Sequence, residues 1–306
     1  MPITHLEQLI GEARRLGPVK VAVAAADDVH TLEAVKLGAE AMLISSAHLF
    51  GQVERISAAA RSVGVDLSVH EVVEAPDEEA AARLAVEQAY EGRACLVMKG
   101  SLPTAALLKA VLAAERACSG EGHLKHLLSH VAVMEVPTYH KLLLITDSGM
   151  VIAPTLEEKA QIIRNAQRVA GALGIARPKV AALAAVETVN PKMPATVEAH
   201  ELAEMARAGF FPGLVLDGPV ALDVALSAES ARYKGVESPV AGDADILLVP
   251  SIEAGNLMGK AILYLARGKM AGLVAGASVP IPLTSRSETA EGKLNSIALA
   301  VLYRRS

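Results

Sequence analysis

Apolar positions fall into short aliphatic runs separated by stretches of helical period. Lys20 to Ala26 (KVAVAAA) reads as a strand, Asp28 opens a helix, and Ala41 to Ser46 (AMLISS) returns to strand character. Further strands are predicted at Asp66 to Val72, Ala94 to Met98, His130 to Val136, Lys141 to Thr146, Lys179 to Val186, Gly213 to Leu216, Asp245 to Pro250 and Met270 to Gly276. Amphipathic lengths lie between most of them. One helix is marked at both ends: Thr155 and Glu158 have capping-box spacing, Ile162, Ala166, Val169, Ala170 and Leu173 form a stripe, and Gly174 with Pro178 closes it. Such βα repetition predicts an α/β fold of largely parallel sheets flanked by helices, with ligands at the carboxyl ends of the strands.

Length and composition narrow the function. A chain of 306 residues exceeds one ordinary core, so two domains are expected, with breaks near Asp147-Ser148-Gly149 and Gly272 to Pro280. Hydrophobic residues at 52% and charged residues at 21% exclude disorder. Aromatics at 3% and a net charge of -5 argue against a nucleic-acid partner, which needs stacking platforms or a basic face. The start of the sequence has no basic-then-apolar signal, and no run reaches the roughly 18 apolar residues of a membrane span, so a soluble cytoplasmic protein without a membrane partner is expected. Cys95 and Cys118 are isolated and read as buried free thiols.

Candidate chemistry lies after the strands. Leu283-Thr-Ser-Arg-Ser leads toward a helix with Leu294, Ile297, Ala298 and Val301 on its buried stripe, which puts Ser285 and Arg286 where backbone N–H groups and a guanidinium favour an anion. Ser285 and Glu288 also fit an ordinary capping box. Asn256 and Lys260 lie four residues apart on one face of a predicted helix opening near Ala254, aimed at a carbonyl or phosphate or simply at solvent. Asp217 and Asp223 are candidate acids, although Asp217-Gly-Pro is equally turn chemistry. Lys99 and Gly100 end a strand before a helix with Pro103 in its first turn, Gly100 permitting close backbone approach to a ligand. Asn190 and Lys192 follow another strand. The absence of GxxxxGK[ST] and GxGxxG disfavours a Walker ATPase and a fingerprint-bearing dinucleotide enzyme. His123, His126 and His130 lack the cysteine or paired carboxylate that would complete a metal site, so no metal is expected.

Several of these stretches, in order, resemble the phosphate acetyltransferase and phosphate butyryltransferase family. They are Met98-Lys-Gly-Ser, Leu127-Leu-Ser-His-Val-Ala-Val, Leu144-Ile-Thr-Asp, Ala184-Ala-Val-Glu-Thr-Val-Asn-Pro-Lys-Met, Asp217-Gly-Pro-Val-Ala-Leu-Asp, Ser238-Pro-Val-Ala-Gly-Asp-Ala-Asp, Ile252-Glu-Ala-Gly-Asn and Leu283-Thr-Ser-Arg-Ser. The likeness thins over the first ninety residues and is greater to the butyryltransferase branch. It implies two α/β domains with the active site in the cleft between them, residues 1–148 plus 276–306 forming the first and 149–275 the second. It also implies transfer of a short acyl group, butyryl before acetyl, from coenzyme A to inorganic phosphate by direct attack in a ternary complex. Acyl phosphate is the product, no tightly bound cofactor is needed, and a homo-oligomer is expected. By the same likeness Ser285 would hydrogen-bond the thioester oxygen and Arg286 would bind phosphate. Acetyltransferase members carry an aspartate base shortly after this pair, where the present chain offers only Glu288 or Glu291. A metal-dependent decarboxylating 2-hydroxyacid dehydrogenase and a noncatalytic acyl-CoA sensor are the readings from other classes; the first lacks its arginine set here.

Overall fold

A computed structural model describes residues 2–119, 127–283 and 289–305. It divides into two units, one of Glu7–His126 with Ala271–Arg305 and one of Met1–Leu6 with Leu127–Met270. The chain begins α1 (Leu6–Arg15), β1 (Val19–Ala24), α2 (Val29–Glu40), β2 (Ile44–Gly51), α3 (Val53–Val63), β3 (Glu71–Glu74), α4 (Glu78–Tyr90), β4 (Leu96–Lys99) and α5 (Thr104–Ser119). Four strands pair in parallel in the order β3-β2-β1-β4. Central β1 is buried except at Lys20, as a strand covered on both faces must be. Asp28 caps α2 by accepting from the Thr31 N–H at 3.0 Å, and Asp77 caps α4 through Ala80 at 2.8 Å.

The inserted unit contains β5 (Ser129–Glu135), β6 (Leu143–Thr146), α6 (Leu156–Ala172), β7 (Lys179–Leu183), α7 (Pro194–Arg207), β8 (Val215–Val220), α8 (Leu222–Leu226), α9 (Ala228–Lys234), β9 (Ile246–Leu248) and α10 (Ile252–Tyr264). Its strands follow the order β5-β6-β9-β7-β8. β5 runs antiparallel to β6, and the other pairs are parallel. The expected capping box on α6 is present at Thr155 and Glu158, and its predicted stripe from Ile162 to Leu173 is buried. The chain then passes through β10 (Lys269–Ala275), an antiparallel partner β11 (Ile281–Pro282), and α11 (Ala290–Tyr303).

Several elements differ from the sequence reading. The change of unit falls at Leu127 and Ala271, because β5 and β6 pair with each other before Asp147 is reached. Ala41 caps the end of α2, so β2 starts only at Ile44. Asp66 holds the Ser68 N–H at 2.9 Å and starts a 3-10 turn, leaving only Glu71–Glu74 as strand. Pro103 precedes α5 instead of lying in its first turn. The thiols are not core groups: Cys118 is exposed, and half-buried Cys95 accepts from Arg304 at 2.8 Å.

An ionic cluster ties the amino-terminal ends of the inserted sheet. Lys141 bridges Asp243 at 2.8 Å and Asp245 at 2.7 Å, Lys179 reaches Asp243 at 2.8 Å, and Asp245 accepts the Lys179 N–H at 2.8 Å. Burial opposes the charge on Asp243, but bonds from Lys141, Lys179 and His140 outweigh it and hold the carboxyl well below the usual range. A depressed carboxylate contributes stability above its unfolded value of about 3.9, and that stability is lost as pH falls toward the folded value. Urea unfolding followed from pH 6 down to 2 should therefore show an acid loss that is smaller in Asp243→Asn; an equal slope in both proteins contradicts the pairing.

Candidate functional site

In the unit containing β1 to β4, a cavity of about 280 Å³ is bounded by α2, the end of β4 and the start of α11. Asp28, His30, Thr31 and Ala34 line it from the first helix, Met98 to Ser101 from the strand, and Pro282, Lys293, Ser296 and Ile297 from the return segment. Backbone contacts fix its wall. The N–H groups of Gly100 and Ser101 donate to the carbonyls of Ala24 and Ala25 at 2.8 and 2.9 Å, and Ser101 Oγ donates to Asp27 at 2.7 Å. A Cβ on Gly100 would lie 1.8 Å from the Ala25 oxygen, so only glycine fits. The close approach expected of Gly100 is thus toward its own backbone. Lys99 Nζ donates to the carbonyls of Gly100 and Leu102 at 3.0 and 2.9 Å, which anchors its charge at the strand end.

The inserted unit builds a second polar cluster where β5 begins and β6 ends. Asp147 accepts the His130 N–H on one oxygen at 2.9 Å, and the N–H groups of Gly149 and Met150 on the other at 2.7 and 2.8 Å. His130 Nδ1 and Ser148 Oγ are hydrogen-bonded at 2.8 Å, and both residues are buried. Asn256 reaches the same loop, donating to the Ser148 carbonyl at 3.4 Å. Gly255 permits this: a Cβ there would lie 2.8 Å from the Asp147 oxygen. Three of the stretches that carried the family likeness therefore meet at one place. The sequence marks His130 as the start of a strand and a candidate metal ligand but not as a partner of Ser148; the available signal is its position opposite the end of a neighbouring strand.

The remaining predicted residues have mostly local partners. Asn190 Oδ1 accepts the Lys192 N–H at 3.0 Å and its carbonyl accepts Met193 at 2.8 Å, forming the turn before α7, with Lys192 exposed. Asp217 lies within β8 instead of in a turn, 3.8 Å from Arg207. Gly218 makes this continuation possible, since a Cβ there would press 2.8 Å from that of Ala182 on β7. Asp223 pairs with Lys234 at 2.9 Å, and the bond from Lys234 holds its carboxyl below the usual range. Lys260 is exposed one turn after Asn256 on α10. Ser285, Arg286 and Glu288, with His123 and His126, lie outside the described residues. The helix beyond them starts at Ala290, capped by Thr289 through the Gly292 N–H at 3.1 Å, so the Ser285–Glu288 capping box is not what opens it. Glu291 is an exposed first-turn residue of that helix.

The tight loop pairing predicts that Gly100→Ala lowers unfolding stability by about 3 kcal/mol, the upper end of an overpacking cost. Gly171→Ala, with open space around the new Cβ on α6, should be neutral or stabilising by up to about 1 kcal/mol. Equal melting temperatures for the two variants would contradict the Gly100 contact.

Comparison with known proteins agrees with these motifs and extends the likeness into the first ninety residues. A family profile described as "Phosphate acetyl/butaryl transferase" matches residues 78–301. The chain is 46% identical over 297 residues to the "Probable phosphate butyryltransferase" of Bacillus subtilis, covering 97% of each chain. It is 43% identical to the phosphate acetyltransferase of Thermotoga maritima, covering 97% of this chain and 99% of the other. A crystal structure of a branched-chain phosphotransacylase from Enterococcus faecalis superposes with a TM-score of 0.79 at 34% identity, covering 94% of this chain and 99% of that one. With this likeness along nearly its whole length, the chain belongs to the phosphate acetyltransferase and phosphate butyryltransferase family.

Proposed function

We propose that this protein transfers a short acyl group between coenzyme A and inorganic phosphate, with butyryl-CoA preferred over acetyl-CoA. The observation that carries the proposal is the near full-length identity to a phosphate butyryltransferase homologue. A phosphate oxygen attacks the thioester carbon, the C–S bond breaks, and the phosphate proton ends on the CoA sulfur, leaving acyl phosphate and CoA. Ser285 donates to the thioester oxygen as negative charge grows there, and Arg286 holds phosphate with its planar donor fork. Lys99, with its ammonium anchored at the end of β4, adds positive charge to the cavity that Gly100 shapes. Asn190, Lys192, Asp217, Asn256 and Lys260 are assigned to substrate binding on the inserted unit. Glu291 or Glu288 carries the thiol proton; a thiol of pKa about 8.5 asks for only modest help from a base.

Coenzyme A serves as substrate and product, and no tightly bound cofactor enters the scheme. Acetyl-CoA is the alternative substrate, favoured by the Thermotoga maritima homologue. Among the described residues no helix is long and apolar enough to cross a membrane, and a cytoplasmic location is part of the proposal. So is a homo-oligomer, because α10 presents Leu257 at 68%, Tyr264 at 68% and, at its end, Leu265 at 84% exposure.

Arsenolysis tests the reaction class. Arsenate in place of phosphate should give continuous thiol release from butyryl-CoA, because the acyl arsenate hydrolyses. A dehydrogenase or a sensor would release none. Ser285→Ala should lower kcat by about 100 to 1000-fold, the cost of one oxyanion donor. Arg286→Ala should chiefly raise KM for phosphate. A Ser285→Ala enzyme at near wild-type rate would overturn the oxyanion role.

A further inference from the structure

The cavity bounded by α2, β4 and α11 has a graded lining. On β4, buried Met98 precedes Lys99, Gly100 and Ser101 at the carboxyl end. On α2, Asp28, His30 and Thr31 stand at the opening turn, and Ala34 lies one turn further in. On α11, Lys293 lies in the first turn, and Ile297 follows four residues later on the same face. Polar groups thus cluster near the loops and Ala34, Met98 and Ile297 lie deeper, beside Ser296, whose buried hydroxyl is already occupied, accepting the Gly272 N–H at 2.9 Å and donating to the Gly292 carbonyl at 2.8 Å. Pro282 adds a further apolar wall that offers no N–H donor.

From this gradient we propose that the cavity is the acyl-chain subsite, a deepening that rests on the acyltransferase reading above. The aliphatic tail lies against Ala34, Met98, Pro282 and Ile297, with its carbonyl end toward Lys99 and Lys293. The Asp28 carboxylate keeps its charge and is held at the start of α2 by the Thr31 N–H and hydroxyl, on the polar side of the lining. A volume of about 280 Å³, against roughly 30 Å³ of liquid per water, gives a short chain room to enter. Bare phosphate would leave the apolar floor unused. Ala275 and Ala277, small residues at and just after the end of β10, are buried and do not line it.

The test is the chain-length profile, read as kcat/KM for acetyl-, butyryl- and hexanoyl-CoA with phosphate. Ala34→Leu fills the floor and should lower the butyryl-to-acetyl ratio about tenfold or more, the discrimination one or two methylenes supply. Met98→Ala deepens the floor and should raise the hexanoyl-to-butyryl ratio by about tenfold. Gly171→Ala, on α6 and not among the residues lining the cavity, should leave both ratios as in the wild type. Ala34→Val gives the same reading at smaller amplitude if the leucine variant does not fold. Calorimetric binding of butylphosphonate and methylphosphonate separates the subsite from the reaction: the wild type should favour the butyl compound, and Ala34→Leu or Ala34→Val should erase that advantage. Unchanged ratios and an unchanged butyl advantage in folded variants would overturn the subsite. If the wild type turned over no acyl-CoA, the reaction would fall, while a butyl advantage lost on enlarging Ala34 would still locate the apolar subsite.

Discussion

The carbonyl of Ala25 sits where a side chain on Gly100 would have to be, and the architecture of the first unit turns on that contact. In the order β3-β2-β1-β4 the chain builds outward from β1 on one side and then places β4 on the other. The loops leaving β1 and β4 therefore diverge at a topological switch point, the place where open α/β sheets leave a crevice for ligands. Hydrogen bonds from Gly100 and Ser101 to Ala24 and Ala25 tie the two loops together there. With the loops tied, Lys99 is held at the strand end and α2 starts beside it, so a cavity forms with both cationic and apolar walls. A larger residue at position 100 would separate these loops and unmake the wall.

The inserted unit uses the same constraint differently. Its switch lies where β9 enters between β6 and β7, and Gly255 lets the first turn of α10 press on the loop after β6. Asp147 then organises that loop by accepting three backbone N–H groups, which keeps His130 against Ser148. At the opposite edge, Lys141 and Lys179 neutralise Asp243 and Asp245, so the sheet is pinned at both ends of its strands.

Features set by local chemistry were legible in the sequence, and those set by pairing were not. Thr155, Glu158 and the stripe to Leu173 act within one helix, and they appear as expected. Asp217-Gly-Pro has strong turn chemistry, yet pairing of β8 with β7 on both sides of it, through Asp217 and Val220, keeps it in a strand. Ser285 with Glu288 obeys the same spacing rule as Thr155 with Glu158, but Thr289 a few residues later supplies the actual cap. Alternation of strands and helices gives the α/β class without the direction of each pairing, so the antiparallel β5–β6 and β10–β11 pairs and the crossing at Leu127 came only from the structure. Of the candidate site, the strand-end motifs were visible as types in order, whereas the contact of Asn256 with the β6 loop and the convergence of Ala34, Met98 and Ile297 depend on packing between distant segments.

The proposed function is acyl transfer to phosphate with a preference set by an apolar pocket. Its most direct measurement is an initial-rate panel of acetyl-, propionyl-, butyryl- and isobutyryl-CoA with phosphate, following thiol release by the wild-type protein. A kcat/KM that rises from acetyl to butyryl, by about tenfold or more for the methylenes added, is the predicted result. A kcat/KM for acetyl-CoA about tenfold above that for butyryl-CoA would contradict it.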